Sequence, residues 1–168
     1  MFHSFDKAPE NPSTTRAQWM ALLARAPHTL MQQALLPFTT SPPVWLRKPE
    51  TGLMMVQGRI GGTGERFNLG EMTVTRCALR LTQANAPTAV GVSYVIGRDH
   101  RQARLAALAD ALLQDPTQYP DLEISLLNPV REYLLHLQAK RHQQAQSTKV
   151  DFLTVAREAG GEDEGDEA

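Results

Sequence analysis

The stretch that decides the fold is ETGLMMVQGRIGGTGERFNLGEMTVTRCALRL, residues 50–81, followed after a short gap by AVGVSYVIG, residues 89–97. Within it, LMMVQGRI (53–60) carries Met54, Val56 and Ile60 in step, and EMTVTRCALRL (71–81) alternates Cys77, Leu79 and Leu81 with Arg76 and Arg80. Side chains two residues apart share a sheet face, so the alternation predicts half-buried strands, with Arg76 and Arg80 on the face opposite Cys77, Leu79 and Leu81. Val90, Val92, Tyr94 and Ile96 are in step in the next segment, and VWLRK (44–48) reads as a further short strand. GGTGE (61–65) supplies turn residues between them. Connections this short join antiparallel neighbours, because a parallel pair needs a crossover of about a dozen residues or more. The expected sheet is an antiparallel meander of about four strands.

On either side the period turns helical. Thr14 or Thr15 is placed to cap a helix through Trp19, Leu22 and Leu23; Pro27 interrupts it, and HTLMQQALL (28–36) restarts it as the second arm of a helical hairpin. Downstream, Asp99 followed by Gln102 forms a capping arrangement for a helix with Leu105, Leu108, Ala109 and Leu112 along one stripe, which should cover the sheet. After YPDLEISLL (119–127), read as irregular, Asn128 and Pro129 suit the cap and first position of a last helix. Its QAKRHQQAQ end (138–146) is polar all round, and KVDFLTVAR (149–157) beyond it is apolar, which marks Val150, Phe152, Leu153 and Val155 as a partner-binding arm. The fold class is α+β, one domain over residues 1–157 with an acidic, disordered tail at 158–168.

Composition narrows the function classes. A chain of 168 residues with 42% hydrophobic side chains supports one real core. Six of the 18 acidic residues lie in positions 158–168, so residues 1–157 carry 17 basic against 12 acidic groups, a net of +5. No run approaches the roughly 20 apolar residues of a membrane span and no signal peptide opens the chain, so a cytoplasmic protein without a membrane role is expected. Cys77 is the one cysteine and the five histidines lack ligand spacing, so no metal site is expected on this chain and no cofactor is bound by it alone. Phe67 and Tyr94 are the only aromatics in residues 52–97, too few for a base-stacking platform, which argues against nucleic acid.

GRIGGTGERF (58–67) is the one segment with a chemical reading. Gly61, Gly62 and Gly64 permit positive φ and convergent N–H groups, so the loop is either a phosphate cradle or a glycine-rich hairpin turn; the turn is the commoner outcome and the Walker spacing is absent. Arginine suits phosphate and phosphonate oxygens, and Arg59, Arg66 and Arg98 stand beside glycines at strand ends, with Glu65 between the first two. These seven are the candidate ligand-binding residues. No nucleophile and base constellation is legible, so no catalytic residue is assigned.

The run from Glu50 to Leu81, GVSYVIGRDHRQARLAALADALLQ (91–114) and KVDFLTVARE (149–158) together resemble the PhnG family, the G subunit of the carbon–phosphorus lyase core complex. GGTGERF, the pattern Thr75, Arg76, Ala78, Arg80, Leu81 and the triplet Gly97 to Asp99 carry the match; Arg16 to Met20 resembles the family's N-terminal opening. The resemblance implies a subunit inactive alone, working with the H, I and L subunits, and with J, in two copies per complex. MgATP is the substrate of that complex: an alkylphosphonate oxygen displaces adenine from the ribose anomeric carbon, and J, with an iron–sulfur cluster and S-adenosylmethionine, later breaks the carbon–phosphorus bond. The alternative within the same family is a purely architectural subunit with no substrate contact.

Overall fold

The computed structural model describes residues 14–38, 42–82 and 88–147. Helices α1 (Arg16–Leu23) and α2 (His28–Leu35) form the expected hairpin; strands β1 (Val44–Arg59), β2 (Arg66–Leu81) and β3 (Ala89–Ile96) form an antiparallel sheet in the order β1-β2-β3; helix α3 (His100–Leu113) lies on it. A short α4 (Tyr119–Leu122) runs through a wide π turn (Glu123–Leu127) into α5 (Asn128–Ser147).

The α+β class stands, with three strands in place of four. VWLRK and LMMVQGRI are parts of one 16-residue strand, whose register slips between Trp45 and Arg47, between Arg47 and Glu50 and between Val56 and Gln57. β1 is an edge strand and the slips fall around Pro49, so the missing N–H of that proline interrupts no central ladder. The 119–127 segment is helical and not irregular: Leu122, Leu126, Leu127 and Val130 are fully buried, and that burial draws the segment into the core layer. The wide turn before it lets Pro129 sit inside a helical run despite its lack of an N–H. Asn128 is correspondingly helical and does not cap; its Oδ1 accepts from Arg131 at 2.6 Å.

The core lies between α3 and one face of β2 and β3. Cys77, Leu79 and Leu81 are buried on that face as their alternation predicts, and Arg76 and Arg80 are exposed on the other. On β3 the buried set is Gly91, Ser93 and Val95, so the apolar series ending in Tyr94 and Ile96 faces outward. The cause is the close approach of α3: a Cβ at position 91 would lie 1.9 Å from the Ala107 carbonyl oxygen, and only glycine fits. Ser93 fits beside it because its hydroxyl donates to the Ala103 carbonyl at 2.6 Å.

Two polar groups lock the helices to this core. Asp99 Oδ1 accepts from the Gln102 N–H at 2.8 Å, the expected cap, while the Gln102 side chain donates to the Leu23 and Ala26 carbonyls at 2.9 and 2.6 Å and so closes the end of α1. Asp110, fully buried on α3, accepts from Arg16 Nε and Nη2 at 3.1 and 2.7 Å, Trp19 Nε1 at 2.9 Å and the Val92 N–H at 2.9 Å. Arg16 and Trp19, both within the N-terminal family-like opening, therefore serve one carboxylate.

Candidate functional site

The ladder between β2 and β3 ends at Val74 and Ile96, whereas β1 and β2 remain paired to Arg59 and Arg66. Residues 53–72 therefore form a two-stranded arm that no third strand flanks. None of its side chains is buried: Leu53, Ile60 and Leu69 are 67%, 69% and 67% exposed, and Met54, Met55 and Phe67 are also exposed. The alternation that predicts half-buried strands buries residues only in the body half of the hairpin. In the arm it leaves apolar surface on a ribbon of a kind that is marginally stable alone in water.

At the tip, Arg59 ends β1, Gly61 and Gly62 lie in a 3-10 turn (Ile60–Gly62), Gly64 and Glu65 follow, and Arg66 opens β2. Gly61 and Gly62 have φ of 58° and 82°, values that favour glycine. The Ile60 carbonyl accepts from the N–H groups of Thr63 and Gly64, the latter at 2.8 Å, so two of the loop's donors are spent closing the turn. Position 64 is tight as well, since a Cβ there would lie 2.7 Å from the Ile60 carbonyl oxygen.

Arg59 and Arg66 are direct cross-strand partners. Opposed like charges in an antiparallel pair are destabilising, and the Arg59 guanidinium relieves part of this by donating to the Gly64 carbonyl at 3.1 Å. Among the described residues neither arginine forms an ion pair. The pair is an electropositive end that a phosphate or phosphonate would neutralise.

Arg98 stands elsewhere. Gly97, at φ 98°, turns the chain from β3 into α3, and its N–H donates to the Thr73 carbonyl at 2.9 Å. The strand from Thr73 to Arg66 then spans roughly 23 Å at about 3.3 Å per residue, beyond the reach of two arginine side chains toward one anion. Within one chain the structure brings Arg59, Gly61, Gly62, Gly64, Glu65 and Arg66 together and leaves Arg98 apart.

The Arg98 corner has its own polar network. Thr75 Oγ1 donates to the Gly97 carbonyl at 2.7 Å and lies 3.2 Å from Thr51 Oγ1, which in turn is 2.9 Å from His100 Nε2. His28 Nε2 donates to Asp99 Oδ2 at 2.7 Å; the Gln102 N–H first, and His28 after it, hold the Asp99 carboxyl below its usual range. On the outer face Glu50 accepts from Arg76 and Arg47, which hold its carboxyl low in the same way. Sequence reading had not singled out Asp110; an acid inside LAALADALL was the available signal. The proposed partner-binding residues Val150, Phe152, Leu153 and Val155 lie outside the described residues, as does the acidic tail. Among the described residues no helix is long and apolar enough to cross a membrane.

Comparison with known proteins accounts for the shared pattern. Residues 14–158 match the family described as phosphonate metabolism protein PhnG. The chain is 40% identical over 149 residues to a Rhizobium meliloti protein named alpha-D-ribose 1-methylphosphonate 5-triphosphate synthase subunit PhnG, an alignment covering 88% of this chain and 90% of the relative. With a match over most of its length on both counts, the chain belongs to the phosphonate metabolism protein PhnG family.

Proposed function

We propose that this chain is a subunit of a cytoplasmic carbon–phosphorus lyase complex and serves, with the H, I and L subunits, in transferring an alkylphosphonate to the ribose of MgATP. In that step a phosphonate oxygen forms a bond to the anomeric carbon as the glycosidic bond to adenine breaks, and the departing base takes the bonding electrons and a proton. A triphosphate and an anionic phosphonate must share one site while the sugar carbon becomes cationic. Fixed guanidinium groups lower that repulsion and hold the reactants in line.

The observation that carries the reading is the arm. It sets Arg59 and Arg66 side by side at the end of a ribbon, away from their own domain's core, which supports a role in completing a site on another subunit. Its exposed Leu53, Ile60 and Leu69 supply apolar surface for that neighbour to cover. The same surface favours a second reading, in which the arm serves assembly alone. In the first reading, two copies of the chain would each insert one arm.

The test is reconstitution of the G, H, I and L subunits with ATP and methylphosphonate, measuring adenine release and phosphonate transfer, with sizing chromatography alongside. Arg59→Ala/Arg66→Ala should lower transfer by on the order of 100-fold, the usual scale for a lost charge-stabilising group, in a complex of unchanged size. Full activity of that complex would refute the first reading. Dissolution of the complex by the same change, with Leu53→Ser/Leu69→Ser acting identically, would establish the second.

A further inference from the structure

We infer that a second anion site, distinct from the arm tip, lies in the groove between α2, the bulged start of β1 and the first turns of α3, and that it takes a nucleoside polyphosphate. Gln32, Trp45, Lys48, His100, Arg101 and Arg104 line a cavity of about 730 Å³ there, together with Pro49. Its wall carries three full cations from two elements and no carboxylate.

The nearby acids are already engaged. Glu50 accepts from Arg47 and Arg76, and Asp99 accepts from His28 and the Gln102 N–H. Among the described residues, Lys48, Arg101 and Arg104 form no ion pair. Arg101 and Arg104 are three residues apart on α3 and so share a face, where their like charges repel. The register slips flanking Arg47 free Lys48 from strict strand alternation and leave it facing the same groove. Three mutually repelling cations at one concave wall match the distributed charge of a di- or triphosphate.

The groove has a second half of different chemistry. It continues into a slot of about 300 Å³ whose apolar lining includes Leu35, Leu36, Pro43, Leu79, Leu105 and Leu108, and the two cavities share Gln32, Trp45 and Arg104. An indole ring between an apolar slot and a cationic wall suits a planar base, and Gln32 offers an amide at the same junction. Inorganic phosphate would use only the first half and a fatty acid mainly the second. A ligand with a flat heterocycle at one end and several phosphate charges at the other uses both. The inference concerns binding by this chain and does not depend on what the arm does during turnover.

The protein provides its own reporter, because Trp19 is buried against Asp110 and Trp45 alone of the two tryptophans lines the groove. The experiment titrates the full chain with ATP, inorganic triphosphate and adenosine, following tryptophan emission and, in parallel, heat. ATP should bind with millimolar affinity or tighter and change Trp45 emission, and triphosphate should compete without reproducing the change. Arg101→Gln/Arg104→Gln should weaken ATP about tenfold, the scale of lost charge-assisted contacts, with the melting transition retained. Arg80→Gln, a cation on the outer sheet face, should bind as the parent does, and Trp45→Leu should weaken ATP while sparing triphosphate. Absence of ATP binding at millimolar concentration, undiminished binding by the double variant, or equal responses to ATP and triphosphate would each overturn the assignment.

Discussion

Replacing Asp110 with asparagine removes one charge and one acceptor from a site that uses both. The carboxylate is fully buried and receives four donors, two on each oxygen: Arg16 Nε and Trp19 Nε1 on Oδ1, Arg16 Nη2 and the Val92 N–H on Oδ2. In Asp110→Asn the surviving oxygen can serve one pair, and the new amide N–H groups then face the other pair donor to donor. One buried N–H left without an acceptor costs about 1–3 kcal/mol. The Arg16 side chain is 45% exposed, so water takes over part of its bonding and the lost ion pair adds only about 1 kcal/mol. The sum is about 3 kcal/mol, or roughly 6–12 °C in melting temperature for a chain of this size. Urea unfolding followed by far-UV circular dichroism gives the number, and Trp19 emission reports the local environment. Arg16→Lys keeps the charge but not the two-pronged contact and should cost about 1 kcal/mol. A loss below about 1 kcal/mol for Asp110→Asn, or an Arg16→Lys loss equal to it, would refute the view that the buried acceptor and not the ion pair ties α1 to α3 and β3.

Three further outcomes follow from the same structure. Gly91→Ala drives a methyl group into backbone on α3 and should cost about 3 kcal/mol or more, the upper range for overpacking; an unchanged melting temperature would mean that α3 does not approach β3 closely enough to exclude a Cβ at position 91. Asp99→Ala should cost about 1 kcal/mol through loss of the cap. Because the Asp99 carboxyl is held below its usual value of 3.8, its contribution should be complete above that pH and fade as pH falls through the lowered value, and a stability difference that persists in strong acid would contradict this. Cys77 is 2% exposed and burial pushes its thiol up to about 11, so maleimide should modify it slowly in the native chain and quickly in denaturant; rapid native labelling would place it at the surface.

Most of the arm's chemistry was legible because it is local. Gly61 and Gly62 needed positive φ, and the like-charged residues flanking the turn are close in the chain, so the sequence alone placed Arg59 and Arg66 at one end of a hairpin. Arg98 was grouped with them on the same reasoning, that a basic residue beside a strand-ending glycine approaches a ligand. That reasoning carries no distance. Only the pairing of Gly97 with Thr73 puts Arg98 far from the tip.

By itself the sequence determined the α+β class, the core face of β2 and the cap that starts α3, because alternation, helical spacing and capping act over a few residues. It also determined the family, through a pattern of side chains spread along the chain. Tertiary structure decided what no short window contains. The fusion of two expected strands into one depended on β1 lying at an edge where Pro49 is tolerated, and the inward face of β3 depended on how closely α3 approaches Gly91. The helical course of 119–127 depended on packing against α1 to α3, elements distant in the chain. The same holds for the cationic groove: Lys48 and Arg104 are 56 positions apart, and only folding brings them to one wall and pairs the nearby Glu50 and Asp99 elsewhere. Local periodicity fixes what a strongly patterned segment becomes; the course of a weakly patterned one, and which face of either meets water, is settled by the neighbours that arrive from distant parts of the chain.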